Sequence, residues 1–202
     1  MVLSDLLDAF ASNEPVPGGG SAAALAGAVG VSLLVMVAGL PKTRTGAPEE
    51  AADLAEASAR LRPLRDTLAS LIDQDSEAYS AVLAAMRLPK ATDADKAARR
   101  EALETAMRGA TEVPMDTMRA CQQALHGAVI VAGNGNPNAA TDTGVAIELL
   151  LVGVRGAAMN VDVNVKSLSD ASFVTRVSAE RTQLETEAVA DAQHARNLLT
   201  AS

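Results

Sequence analysis

Apolar and polar positions alternate along this chain with the periodicity of helices, broken at a few short polar stretches. From Pro48 to Met86 apolar residues recur at Leu54, Ala57, Leu61, Leu64, Leu68, Leu71, Ile72, Tyr79, Val82, Leu83 and Met86, the three-and-four spacing of one helix face. Pro63 falls inside this run and predicts a kink or reset. The segment "RLPKATDADK" then breaks the pattern: Pro89 disfavours helix at Leu88, and Thr92 or Asp93 is placed to cap the next helix. That helix is predicted over "KAARREALETAMRGATEVPMDTMRACQQALHGAVIVAG", with Pro114 as a second interruption. "GNGNPNAATD", Gly133 to Asp142, has the composition of a loop. Thr141 or Asp142 would cap the helix "TGVAIELLLVGVRGAAMNV" after it. "MNVDVNVKSLSD" then places Asn160 and Asn164 between that helix and an amphipathic C-terminal one. At the other end, "MVLSDLLDAFAS" reads as a short amphipathic helix. Its Asp5 and Asp8, without a basic start, argue against a secretory signal.

One stretch departs from this amphipathic pattern. "PVPGGGSAAALAGAVGVSLLVMVAGLP", Pro15 to Pro41, carries no charge. Its Ser21–Leu40 part has about the twenty residues that cross a bilayer. Yet it is dominated by Ala, Gly and Ser, its strongly apolar part is confined to "VSLLVMVAGL", and no second span is seen to follow. A helix that is apolar all round also fits the centre of a bundle, and that reading is preferred to a membrane span. "GGGSAA" fits a loose dinucleotide-binding pattern, but no strand precedes it. A Walker loop would need a lysine that is absent. What remains is a glycine turn delivering Ser21 and unpaired N–H groups to a helix start, an end suited to a carboxylate, a phosphate or the polar edge of a heterocycle. The plain alternative is that these glycines only permit a turn and tight packing.

Composition narrows the class. The 202 residues fit one domain, 1–202. Phe10, Tyr79 and Phe173 are the only rings, which disfavours a β-sandwich. The expected fold is all-α: an elongated bundle of long antiparallel helices around a buried Gly/Ala-rich central helix. A net charge of −8 argues against nucleic acid as a partner. The single Cys121 permits no internal disulfide and fits a reducing, cytoplasmic setting. A membrane partner is not expected.

Familiar catalytic equipment is scarce. His126 and His194 lack metal-ligand spacing, and H-E-x-x-H, C-x-x-C and G-x-S-x-G motifs are absent. In "LIDQDSEAY", Asp75 and Tyr79 share a helical face at i,i+4, although a solvated face is the plainer account of the carboxylates there. No metal is expected. The Asn and Gly residues of the two polar stretches serve equally well as caps and turns. A helical scaffold or oligomerisation module therefore stays open beside an enzyme.

Four segments in order, "PVPGGGSAAALAGAVGVSLLVMVAGL", "DSEAYSAVLAAMRLPKAT", "GNPNAATDTGVA" and "MNVDVN", resemble the cyclodeaminase/cyclohydrolase family over nearly the whole chain. The family includes the cyclodeaminase domain of formiminotransferase-cyclodeaminase and stand-alone bacterial methenyltetrahydrofolate cyclohydrolases. The resemblance implies an all-helical, elongated homodimer acting on a one-carbon derivative of tetrahydrofolate, with no cofactor beyond that substrate. No formiminotransferase segment is seen in these residues. Hydrolysis of 5,10-methenyltetrahydrofolate to 10-formyltetrahydrofolate is therefore expected, with formiminotetrahydrofolate cyclodeaminase as the alternative. Two departures are Thr141, where the family often has Ser, and "LPKTRTG", where it often has a Thr-Gly-Lys-type segment, which leaves Lys42 without an assigned role. In this reading Asp142 orients or deprotonates the attacking water, and Lys90 binds an anionic part of folate or assists proton transfer. Gly18, Gly19, Gly20 and Ser21 hold the pterin or the reacting region. Asn134, Asn138, Asn160 and Asn164 supply amide hydrogen bonds, and Asp75 is a lesser candidate.

Overall fold

The computed structural model describes residues 3–201; Met1 and Val2 of the first expected helix lie outside them. The elements are α1 (Leu3–Phe10), α2 (Gly19–Ala38), α3 (Pro48–Met86), α4 (Asp93–Asn134), a 3-10 turn (Pro137–Ala139), α5 (Ala140–Asn164), a second 3-10 turn (Val165–Ser167) and α6 (Ala171–Thr200), with no strand among the described residues. Helices α2, α3, α4 and α5 form an antiparallel four-helix bundle, with α2 between α3 and α5 and diagonal to α4. Direction follows from register. Gly20 of α2 faces Asp75 of α3 while Gly27 faces Leu68, and Gly19 faces Asn160 of α5 while Gly30 faces Ala146 and Leu150. Helix α6 packs outside, along α4 and α5.

The uncharged α2 buries most of its length in this bundle, and Ala23, Ala24, Val31 and Leu34 are almost wholly enclosed. Small residues let the axes close up. A Cβ on Gly27 or on Gly153 would sit 2.6 Å from the Cys121 sulfur, so three helices converge on one buried thiol. Burial alone pushes that thiol up to about 12. The expectation that no second apolar span follows is corrected. The stretch Pro137–Ser167, like Gly19–Ala38, is long and apolar enough to cross a membrane, but half of its most apolar window is buried in the bundle.

Both helix-interior prolines were expected to interrupt their helices, yet α3 runs on through Pro63 and α4 through Pro114. A proline leaves the carbonyl four residues earlier without its N–H donor. For Pro63 that is Ala59, which is exposed to water. For Pro114 it is Ala110, whose oxygen accepts instead from Asn164 Nδ2 at 2.7 Å. Of the two expected caps one forms and the other does not. Thr92 caps α4 in a reciprocal box with Asp95, but α5 starts earlier than expected, with Thr141 and Asp142 inside its first turn. There Asn136 accepts from Asn138 N and closes the preceding turn. Asn160 and Asn164 do not follow α5; they lie on its last two turns.

The chain between α2 and α3 is tied down by a carboxylate. Glu50 accepts from Thr43 Oγ1 at 2.7 Å, from Thr45 N and Oγ1 both at 2.9 Å, and from Gly46 N at 3.1 Å. These donors, the Thr43 hydroxyl first, lower its pKa to about 2. Arg44 bridges the carbonyls of Ala132 and Leu198, fastening this segment to the ends of α4 and α6.

Candidate active site

A cavity of about 410 Å³ opens at the end of the bundle where α2 begins. Five segments meet there: the Pro15–Gly20 turn, the second half of α3, α4 near Met107 and Ala110, the last turns of α5, and Ser167. Its size is in the range of small-molecule sites. Pro15, Val16, Val82, Met86, Met107 and Val163 give it apolar walls, and its polar groups are the α2 start, Asp75, Tyr79, Asn160, Asn164 and Ser167.

The centre of the site is the contact between α2 and Asp75. Asp75 Oδ2 accepts from Ser21 N at 2.8 Å and from Ser21 Oγ at 2.9 Å, and Ser21 Oγ also lies 2.9 Å from the Ile72 carbonyl. Ser21 is the third residue of α2, so Asp75 satisfies one of the N–H groups that a helix start leaves unpaired. It also sets a negative charge against the positive end of the helix dipole. The anion-binding end foreseen from the glycine motif is thus met by the protein's own carboxylate. Gly20 makes this possible: a Cβ there would lie 2.1 Å from Asp75 Oδ1. With Oδ2 committed to Ser21, Oδ1 has no protein donor among the described residues.

The asparagines are oriented from behind. Asn160 Nδ2 donates to the Gly156 carbonyl at 2.9 Å and Asn164 Nδ2 to the Ala110 carbonyl at 2.7 Å. Both amides spend an N–H on the framework and keep a carbonyl oxygen as an acceptor. They are four residues apart on α5 and therefore stack on one side of the helix.

Gly18, Gly19, Gly20, Asp75, Asn160 and Asn164 thus share one cavity, with Ser21 bonded directly behind it. The other candidates lie elsewhere. Lys90 lines an adjoining hollow of about 390 Å³ with Lys96, Arg99, Arg100 and Glu104, which meets the first at Ser167. Glu104 is held below the usual carboxylate range, chiefly by the Ser169 hydroxyl. Asn134 donates to Asp53 Oδ2 at 3.0 Å at the far end of α4, and Asn138 is exposed within the 3-10 turn Pro137–Ala139. Asp142 precedes Asn160 by eighteen residues of the same helix, about 27 Å at 1.5 Å per residue, so within one chain it does not reach the cavity. Tyr79 does line the cavity and was not among the expected site residues. The signal was present, since it lies one turn from Asp75.

A helical bundle with a carboxylate-capped glycine helix beside two framed asparagines defines a class of polar, end-of-bundle small-molecule sites. The chain belongs to the formiminotransferase-cyclodeaminase family, whose pattern it matches over residues 2–183. It is 43% identical over 171 residues to the methenyltetrahydrofolate cyclohydrolase of Methylorubrum extorquens, covering 85% of this chain and 82% of that protein. It is 33% identical over 180 residues to the formimidoyltransferase-cyclodeaminase of Sus scrofa, covering 88% of this chain but 33% of that longer protein. The crystal structure of formiminotetrahydrofolate cyclodeaminase from Thermotoga maritima superposes with a TM-score of 0.89 at 26% identity, over 100% of this chain and 96% of that one.

Proposed function

We propose that this protein is a methenyltetrahydrofolate cyclohydrolase that converts 5,10-methenyltetrahydrofolate and water to 10-formyltetrahydrofolate and a proton. The observation that carries the proposal is the Asp75 carboxylate, fixed through one oxygen by Ser21 and lining a cavity with apolar walls. The methenyl carbon belongs to a cationic amidinium and is already electrophilic. A carboxylate beside it favours the cation and accepts a proton as water adds to carbon. Collapse of the adduct breaks the bond to N5, which takes up a proton, and leaves the formyl group on N10. In this reading Asp75 serves both transfers. The carbonyl edges of Asn160 and Asn164 suit the N–H donors of a pterin, and Tyr79 offers a ring face to an aromatic part of the substrate.

Lys90 and its neighbours Lys96, Arg99 and Arg100 line a second hollow that shares the wall residue Ser167 with the site. That position suits the glutamate end of folate better than proton transfer at the reacting carbon. The proposed enzyme works in the cytoplasm as a homodimer.

The second reading, formiminotetrahydrofolate cyclodeaminase, is favoured by the likeness to the Thermotoga maritima protein. It would use the same carboxylate while N10 attacks the formimino carbon and ammonia leaves. One pair of assays separates the two. Loss of the methenyl chromophore without ammonia supports the cyclohydrolase, whereas ammonia release from formiminotetrahydrofolate with appearance of that chromophore supports the cyclodeaminase. Neither change would return the protein to a scaffold role.

A further inference from the structure

We propose that the Ser21 hydroxyl is a two-position proton switch for Asp75: it donates to the carboxylate while Asp75 is ionised and to the Ile72 carbonyl once Asp75 has taken up a proton. The inference rests on Asp75 being the base of the folate reaction. It deepens that reading by making Ser21 a positioning residue whose hydroxyl follows the charge of the base.

The geometry sets one hydrogen against two acceptors. Ser21 Oγ lies 2.9 Å from Asp75 Oδ2 and 2.9 Å from the Ile72 carbonyl oxygen. A serine hydroxyl has a single proton to give, and Ser21 is wholly enclosed, so bulk water does not compete for it. The Ser76 hydroxyl, at 3.4 Å, is a more distant neighbour. The Ile72 carbonyl belongs to the α3 ladder, where its regular donor is the N–H four residues on. It is satisfied without Ser21 and keeps a second lone pair for it.

Charge decides between the two acceptors. A hydrogen bond to a carboxylate is roughly twice as strong as one to a neutral group, so ionised Asp75 holds the proton. Uptake of a proton at Oδ1, the oxygen without a protein donor among the described residues, removes that advantage. The carbonyl oxygen of a neutral carboxylic acid is a weaker acceptor than that of an amide, and the hydroxyl turns to Ile72. The movement is a rotation about Cβ–Oγ that displaces no heavy atom. The Ser21 N–H, 2.8 Å from Oδ2, has no such freedom and holds the carboxyl in both states. The buried hydroxyl keeps an acceptor throughout, so neither state incurs the cost of an unpaired polar group in the interior.

The reaction uses both positions. As water adds to the methenyl carbon, the C–O bond forms, the amidinium π pair moves onto nitrogen and one water proton passes to Asp75 Oδ1. In collapse the C–N5 bonding pair leaves with N5, which takes that proton from Asp75, and the proton of the adduct hydroxyl goes to solvent. Asp75 ends ionised and recovers the Ser21 proton.

Asp75 titrates in a simple setting. Helix α2 carries no ionisable side chain, Asp73 and Glu77 beside it on α3 are exposed, and Tyr79 is the only other ionisable residue among those lining the cavity. Carbon-13 NMR of the whole protein, without substrate, follows the Asp75 carboxyl and the Ile72 carbonyl as pH is lowered. The Ile72 resonance should move downfield with the same midpoint as Asp75, because it gains a hydrogen bond, and should stay still in Ser21→Ala. An Ile72 resonance that holds while Asp75 titrates overturns the switch. Kinetics give a second reading. Ser21→Ala keeps the N–H bond, so turnover of the methenyl substrate near neutrality should fall by less than the 10²–10⁴ of a displaced base. The acid side of its pH profile should move to higher pH, since the lost bond favoured the charged form. A fall of equal proportion at every pH would mean that the hydroxyl only holds Asp75 in place, and would also overturn the proposal. Coupled movement of the two resonances in a protein without folate turnover would sink the functional reading and leave the switch standing.

Discussion

Gly20→Ala tests the centre of the site with one methyl group. The new Cβ would fall 2.1 Å from Asp75 Oδ1, 2.6 Å from its Cγ and 2.8 Å from Oδ2, separations that no packed structure tolerates. The obstructing atoms are the end of a side chain, so the helix stays and Asp75 swings away. It then loses the bonds from Ser21 N and Oγ at 2.8 and 2.9 Å. Hydrogen bonds to a charged group contribute about 1.5–3 kcal/mol each, part of which water restores once the carboxylate is released. Alanine recovers up to about 1 kcal/mol over glycine in a helix. The net loss of stability should be about 1–3 kcal/mol, small enough to leave a folded protein. Turnover should fall far more, by about 10²–10⁴, the usual value of a positioned base. The assay is the decay of the methenyl chromophore, with a thermal melt on the same preparation. Asp75→Asn should lose turnover to a similar extent, and the double variant should be little worse than either single one. Parental turnover in a folded Gly20→Ala protein would refute the claim that this glycine exists to seat Asp75.

Other consequences are simpler to state. Gly153→Ala drives a methyl to 2.6 Å from the Cys121 sulfur and 3.2 Å from the Ala23 carbonyl, and should cost about 1–3 kcal/mol in denaturant unfolding. Glu50 has a folded pKa of about 2 against an ordinary 4.5, so its stabilisation is complete above about pH 4.5 and lost as pH falls towards 2. The gap in melting temperature between the parent and Glu50→Gln should accordingly be widest near neutrality and close across that interval. Lys90→Ala should raise KM for folates bearing a glutamate tail with little change in kcat, and added salt should shrink the difference.

The helices were legible because their apolar spacing is unbroken for many turns and α2 lacks charge altogether. A buried bundle centre explains that lack without lipid. The prolines misled because their cost depends on what happens to one carbonyl: water reaches Ala59, and Asn164 reaches Ala110. Asn160 and Asn164 looked like loop residues by composition, although their i,i+4 interval already placed them on one helix side. Asp75 was undervalued because sequence does not reveal that α3 returns antiparallel to α2 and lays this carboxylate on the glycine end. Asp142 was placed first because the polar loop before α5 carries the resemblance, but the length of α5 separates it from the cavity of its own chain.

Pro114 has a role at the site that its place in α4 conceals. Because it has no N–H, the Ala110 oxygen stays available, and Asn164 fills it at 2.7 Å while turning its own carbonyl edge outward. Pro114→Ala restores the missing donor and relaxes a helix penalised by about 3 kcal/mol at a proline. The melting temperature should hold or rise despite the loss of buried proline surface. The Ala110 oxygen then has two suitors, and Asn164 is no longer fixed. Losing one oriented hydrogen bond of about 1 kcal/mol should raise folate KM about fivefold, with kcat nearly unchanged because Asp75 is untouched. Asn164→Ala should raise KM to a comparable degree, and Pro114→Ala should add nothing to it. An unchanged KM in Pro114→Ala would mean that Asn164 is oriented by something other than the orphaned carbonyl, and the link from this helix-interior proline to the substrate site would fail.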